Sequence, residues 1–373
     1  MGIPLLDLKA QFDAIRDDVM AAVQRVIDGQ RFIMGPEVAA LEIAIAELVC
    51  VEHAVACASG TDALLLSLQT VEWRPGDEVI TTPFTFFATA GAVVNAGARP
   101  VFVDIDPDTF LLMPDTVADA VTERTRGLIP VHLFGQMTDM EAFASVAHTA
   151  GAVVIEDAAQ AIGARRRRRD GRWYTPGQIG DTAAFSFFPS KNLGGWGDGG
   201  MILSKDAGRA QRLRLLRTHG GTKMYHHDFV GTNSRLDTLQ AAVLLAKLPH
   251  LTAWNEARRR NAAVYNEGLS DVEGISTPVV DPANEHVYHQ YTIRVSEHRD
   301  GLLEHLRSRG IGCAVYYPVP LHLQPCFADL GYRAGQLPVA EQAVGEVVSL
   351  PIGPELRQDQ LHEVIDAVRA WRP

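Results

Sequence analysis

The chain has 373 residues, 47% of them hydrophobic and 21% charged, and a formal net charge of −11 at neutral pH. That length exceeds one small core and suits two units. The acidic balance argues against a general nucleic-acid or membrane-surface binder, which would be basic, yet leaves a local anion site open. No apolar run approaches the length of a membrane span, and no secretory leader is visible. The four cysteines (Cys50, Cys57, Cys313, Cys326) lack CxxC or zinc-like spacing, so reduced structural thiols in a cytoplasmic protein are expected.

Asp13–Ile27 reads as an amphipathic helix, with Ile15, Val19 and Val26 on one side. Gly35-Pro36 starts a second helix carrying Leu41, Ile45 and Leu48. Short β-like runs follow at His53–Cys57, Glu78–Thr81, Pro100–Val103, Gly127–Val131 and Ala152–Ile155, separated by helical or loop stretches. This alternation predicts an α/β fold with a mostly parallel, doubly covered sheet. Thr182–Phe187 and Met201–Ser204 complete the strands, and helices are expected at Ala207–Leu216 and Ser234–Leu248. The charged segment Ala253–Leu269 reads as a long helix leading to a second unit. That unit has strands near Tyr288–Val295 and Gly312–Tyr316 and helices near Arg299–Arg309 and Pro354–Trp371. The expected division is 1–250 for a large unit and 251–373 for a smaller α+β unit.

Lys191 stands where an apolar strand, Phe185-Ser186-Phe187-Phe188, runs into a glycine-rich turn. Burial there disfavours the ammonium and primes a neutral amine, the form that makes a Schiff base. Asp157 ends the apolar run Val153-Val154-Ile155-Glu156. A lysine Schiff base with a carboxylate partner for a pyridinium nitrogen is what pyridoxal phosphate chemistry requires. Ser59-Gly60-Thr61 lies between a strand and the helix Asp62–Leu68, where helix N–H groups and hydroxyls make a phosphate site; a plain Ser/Thr cap is the simpler reading of that stretch alone. Ser186 offers another hydroxyl, Gln160 shares the neighbourhood of Asp157, and Phe86 is a candidate to stack on a planar ring.

Other motifs lead elsewhere. Gly195-Trp196-Gly197-Asp198-Gly199-Gly200 matches a dinucleotide fingerprint but precedes a strand, Met201–Ser204, where that fingerprint should open a helix. Arg165–Arg169 is a basic run between turn-like segments of an acidic chain and reads as a solvated loop. His226-His227-Asp228 has no well-spaced third ligand, so no metal is expected.

The chain resembles the DegT-like sugar-nucleotide aminotransferases of pyridoxal phosphate fold type I nearly end to end. The matching segments, in order, are P-L-L-D-L from Pro4, M-G-P-E from Met34, S-G-T-D-A-L from Ser59, P-G-D-E-V-I from Pro75, P-V-H-L-F-G-Q from Pro130, E-D-A-A-Q from Glu156, S-F-F-P-S-K-N-L from Ser186, G-D-G-G from Gly197 and N-S-R-L-D-T-L-Q-A-A from Asn233. The resemblance implies a seven-stranded, mostly parallel sheet with a smaller C-terminal α+β domain. It implies that Lys191 binds the cofactor covalently and moves the proton, Asp157 keeps the ring nitrogen protonated, Gln160 meets the ring hydroxyl and Phe86 lies against the ring. Gly60, Thr61 and Ser186 would hold the phosphate, joined by Asn233 from the partner of a homodimer.

The implied activity is transfer of the amino group of L-glutamate to a nucleotide-linked keto-sugar, by way of pyridoxamine phosphate. The run from Asn233 and the Y-P-V-P-L-H run from Tyr317 resemble relatives that aminate carbon 3, which makes a dTDP-linked 6-deoxyhexose or a UDP-linked N-acetylhexuronate the expected acceptor and a 4-oxo sugar the alternative. Arg235, Tyr316, Tyr317 and His322 are the expected sugar contacts. Two departures stand out: the Arg165–Arg169 stretch is longer and more basic than in relatives, and Tyr316 stands where several carry histidine. Dehydratases of the fold replace the lysine, so Lys191 speaks against that chemistry. A non-catalytic regulatory protein of the same fold would predict an eroded site, and it would need a DNA-reading element that is not apparent.

Overall fold

Seven strands form the central sheet of the computed structural model, which describes residues 2–372. In spatial order they are His53–Cys57, Gly200–Ser204, Thr182–Ser186, Val153–Asp157, Thr125–Ile129, Glu78–Thr81 and Arg99–Phe102. Six share one direction and only Gly200–Ser204 opposes them. The inner strands are apolar on both faces because helices cover both. On one face Leu41 and Ile45, Phe143 and Ala147, and Ala241 and Leu244 meet Val154, Ala183 and Leu203. On the other, Leu64, Leu68, Val93 and Leu213 meet Val55, Ile155 and Ile202. Successive strand residues feed opposite layers, as the pleat requires.

A second core gathers around the antiparallel strands Ile275–Ser276, Tyr291–Val295 and Val347–Leu350, packed by helices Leu251–Leu269, Arg299–Ser308 and Gln358–Ala370. Ile3 is buried in this core and pairs with Ile311, so the start of the chain lies against its C-terminal part. Among the described residues no helix is long and apolar enough to cross a membrane.

Several expected elements differ. Gly312–Tyr316 is not a strand: Ala314 makes a single bridge to Ser349, and Val347–Leu350 holds the place in the sheet. Val347-Val348 is fully buried, whereas Pro318 and Pro320 turn the earlier segment away. The helix expected from Ser234 begins at Thr238, because Ser234 is held outside it, its hydroxyl donating to Asp62 Oδ2 (2.6 Å) and its N–H to the Arg217 carbonyl. The first helix breaks at Ile15 into Leu8–Ala14 and Arg16–Gly29. The basic run is a strand, not a solvated loop. Arg165–Arg167 pairs with Trp173–Tyr174 on one side and Asn284–Glu285 on the other. Arg165 and Arg166 each donate at 2.7 Å, to Glu285 and Asp281, while Arg165 and Arg167 flank the Trp173 ring at 4.8 Å.

Candidate active site

The helix Gly60–Gln69 starts where the strand Thr182–Ser186 ends. Ser59 caps it, its hydroxyl accepting from the Asp62 N–H at 3.1 Å. The first-turn N–H groups of Gly60 and Thr61 have no intrahelical partner, as in any α-helix, and present the positive end of its dipole. A Cβ on Gly60 would lie 2.6 Å from Cβ of Ser186, so only glycine lets the helix start approach the strand end this closely. The plain-cap reading therefore holds for Ser59, while Gly60, Thr61 and Ser186 all line one cavity of about 400 Å³.

Asp157 closes its strand on the same cavity and is buried. Its Oδ2 accepts from the Thr89 hydroxyl at 2.7 Å and its Oδ1 from the Ala159 N–H at 3.2 Å. Burial pushes its pKa up, and those two donors and the Lys191 charge oppose the rise. Lys191 lies in the turn after Ser186, half-buried, its N–H bonded to the Phe188 carbonyl at 2.8 Å. Burial pulls its ammonium down to about 8, against the pull of Asp157 in the other direction. Gln160 is fixed at both ends: its Oε1 accepts from the Phe134 N–H at 2.6 Å and its Nε2 donates to the Tyr317 hydroxyl at 3.0 Å. Phe86 and Tyr317 form a tilted ring pair 6.4 Å apart at the cavity wall, and Tyr316 lines it too.

Three expected site residues are elsewhere. Asn233 is exposed and bridges to Thr218, at the base of a hairpin containing Gly221–Lys223 and His226–His227. Arg235 lines a separate surface depression beside that hairpin, so within one chain neither reaches the cavity. His322 is buried with its Nε2 at 3.0 Å from Glu341 Oε1, which corrects its reading as a sugar contact. Its short 3₁₀ turn, Leu321–Leu323, is anchored by the Leu321 N–H on the Pro83 carbonyl, and this turns the ring inward.

The cavity also brings in residues that sequence reasoning missed. Thr85 lines it, and its hydroxyl meets that of Thr89, the donor to Asp157, at 3.1 Å. His132 is buried, with Nε2 at 2.9 Å from Glu156 Oε2 and Nδ1 accepting from the Thr138 N–H at 3.2 Å. That acceptor role puts the proton of the neutral ring on Nε2, which donates to Glu156. His289 and Gln290 enter from the bend that precedes the strand Tyr291–Val295. Only His132 had a visible signal, the P-V-H run after an apolar strand.

Pyridoxal phosphate fits this donor set. A glycine-tight helix start would suit its phosphate, a depressed lysine its aldehyde, and a buried carboxylate its ring nitrogen.

The model of the DegT/DnrJ/EryC1/StrS aminotransferase family matches residues 13–369. The chain is similar to a "pleiotropic regulatory protein" of Geobacillus stearothermophilus, 49% identical over 99% of this chain and 98% of that one. It is 45% identical to the UDP-N-acetyl-3-dehydro-alpha-D-glucosamine 3-aminotransferase of Acidithiobacillus ferrooxidans, over 99% and 97% of the two chains. Among solved structures, S. venezuelae DesV in complex with a ketimine intermediate superposes with a TM-score of 0.95 at 46% identity, covering 99% of this chain and 98% of DesV. With the match running over almost the full length and the fold preserved throughout, the chain belongs to the DegT/DnrJ/EryC1/StrS aminotransferase family.

Proposed function

We propose that the protein is a pyridoxal phosphate-dependent aminotransferase that moves the amino group of L-glutamate to a nucleotide-linked sugar with a ketone at carbon 3. The observation that carries this reading is the shared cavity in which Lys191, with its depressed pKa, and the buried Asp157 influence one another. The sugar class rests on the A. ferrooxidans relative, whose name is that of a UDP-linked 3-dehydro sugar 3-aminotransferase.

When bound, the cofactor supplies the electron sink for a carbon that loses a proton. The chain supplies the rest. Lys191 would hold the cofactor through its amine, and its Nζ would take the proton from the amino-bearing carbon of the donor and deliver one to that of the acceptor. Asp157, whose carboxylate form Thr89 and Ala159 favour by donating to it, would favour a protonated ring nitrogen. Gly60, Thr61 and Ser186 receive the phosphate, Gln160 the ring hydroxyl, and Phe86 flanks the ring. Tyr316 and Tyr317 face the sugar. Asn233 and Arg235 act on the site of a second copy, in a homodimer with shared sites. A division into 1–250 and 251–373 rests on the C-terminal core around Tyr291–Val295, on which the chain start also lies, while the sheet core takes in Leu251 and Val287 from beyond the boundary. A cytoplasmic location suits the four free cysteines.

The test is incubation with glutamate and matched 3-oxo and 4-oxo sugar nucleotides, with dTDP- and UDP-linked examples of each, locating the new amine by NMR. Amination at carbon 3 is expected, and amination only at carbon 4 would overturn the acceptor class. The name of the G. stearothermophilus relative favours a second reading, a regulatory protein without turnover. Failure to retain cofactor or to aminate any sugar would support that reading instead.

A further inference from the structure

Asn192, the residue after Lys191, sits at the centre of a chain of hydrogen bonds whose directions are forced. The Asn255 amide nitrogen donates to the Ile162 main-chain carbonyl at 3.1 Å, which leaves its Oδ1 as the acceptor at the other side. Asn192 Nδ2 donates to that Oδ1 at 2.7 Å and to the Val287 carbonyl at 2.9 Å. Turning either amide over would set oxygen against a carbonyl, so neither can flip. Asn192 Oδ1 therefore faces His289, whose Nδ1 lies 3.3 Å away. An amide oxygen can only accept, so that nitrogen carries the ring proton.

His289 is itself held in place. Its main-chain N–H donates to the Phe134 carbonyl at 2.8 Å, and Arg258 donates to the neighbouring Tyr288 carbonyl at 3.1 Å. The ring lines the cavity, and Nε2 is the nitrogen left to face it. We propose that Ile162, Asn255, Asn192 and His289 form a tautomer relay that presents His289 Nε2 as a fixed hydrogen-bond acceptor toward the cavity that Lys191 also lines, where it serves the lysine amine. His289 is thus a positioning residue. Burial, with Lys191 and Arg258 nearby, keeps its pKa well below the ordinary value, which favours a neutral ring able to accept at Nε2.

The consequence lies in the proton transfer assigned to Lys191, and to that extent the inference rests on the proposed function. A lysine that has taken a proton must keep it, correctly aimed, until delivery. A neutral acceptor beside Nζ stabilises the ammonium over the amine and so raises its pKa. Asp157 acts in the same direction, while burial acts against both. Asp198 is the remaining carboxylate lining the cavity.

The experiment uses the full chain labelled with 15N-histidine and, separately, with 13Cε-lysine. The His289 signals are those lost in His289→Phe or, should that variant not fold, in His289→Gln. A neutral ring at pH 7, protonated at Nδ1 and bare at Nε2, is expected. A cationic ring or an Nε2–H tautomer overturns the proposal. Asn192→Leu should admit the Nε2–H tautomer, and an unchanged tautomer in that folded variant overturns the relay. In protein loaded with pyridoxamine phosphate, where the lysine amine is free, His289→Phe should lower the Lys191 protonation constant roughly two- to tenfold, the range of one hydrogen bond. His289→Gln, which keeps an acceptor, should restore most of it. An unchanged constant in His289→Phe overturns the positioning role. Protein that takes up no cofactor would sink the proposed function, whereas the histidine tautomer would still decide the relay.

Discussion

At the scale of single residues, the site depends on two charged groups placed where water is scarce. The Lys191 ammonium is pulled to about 8, so the reactive amine grows as pH rises through that value. The rate at which pyridoxal phosphate becomes trappable on Lys191 by borohydride should rise about tenfold per pH unit below 8 and level off above it. A rate still climbing toward pH 10 would mean that the lysine is not depressed. The linkage sign agrees: a lowered lysine pKa means that the unfolded chain binds more protons between about 8 and 10.5, so the cofactor-free protein gains stability across that window. Asp157 depends on Thr89 in the opposite sense, because that hydroxyl favours the carboxylate. Thr89→Val keeps the shape and removes the donor. Both half-reactions should slow roughly ten- to a hundredfold, the range for a hydrogen bond to a charged group. Stopped-flow single turnovers with glutamate would check this, and unchanged rates would show that Thr89 does not tune Asp157.

At the scale of elements, the phosphate end of the cavity is a helix start pressed against a strand end. Gly60→Ala would thrust a methyl onto Ser186, and either the helix or the strand must move. A loss of about 1–3 kcal/mol in urea unfolding is expected, together with weaker pyridoxal phosphate binding in a fluorescence titration. Normal cofactor affinity in a folded variant would remove this helix start from the phosphate site. The lysine turn is braced from behind by the helix Thr238–Lys247. Lys247 donates to the Gly194 carbonyl at 2.7 Å, and Gln240 accepts from the Trp196 N–H at 2.7 Å. The long helix Leu251–Leu269 adds a buried polar stripe at helical spacing: Asn255 reaches Asn192, Arg258 the Tyr288 carbonyl, Asn261 the Gly353 carbonyl and Tyr265 the Pro351 carbonyl. One helix face thus ties the lysine turn to the C-terminal core.

At the scale of the whole molecule, one chain leaves its hairpin without cover. Met224, Tyr225 and Val230 are 81%, 89% and 96% exposed, beside the exposed Asn233. Large apolar side chains so bare on one projecting segment suit burial by a second copy. Mixing inactive Lys191→Ala subunits with inactive Asn233→Ala subunits should therefore restore activity, because one site of the mixed dimer holds neither lesion. Mixtures as inactive as their parents would place Asn233 and Lys191 in the site of the same chain. Full activity of Asn233→Ala alone would remove the residue from the site.

What the sequence by itself determined is the part written in local order. Strand and helix alternation predicted the layered sheet, and apolar runs ending in Asp157 and in the Lys191 turn marked the two charged groups, since burial of a charge is legible from its neighbours. The same logic failed where a residue's direction depends on distant partners. His322 follows a matching Y-P-V-P-L-H run, yet Glu341 and the Pro83 carbonyl turn it into the interior. Arg165–Arg167 looked like a loop because its neutralising partners, Glu285 and Asp281, are remote in the chain. Val347–Leu350 holds the place expected of Gly312–Tyr316 in the small sheet, where Val347, Val348 and Leu350 are fully buried. His289 and Thr89 carry no local mark at all. Only folding brings them to Lys191 and Asp157, and the direction of each hydrogen bond there is set by main-chain carbonyls and amides that no linear pattern records.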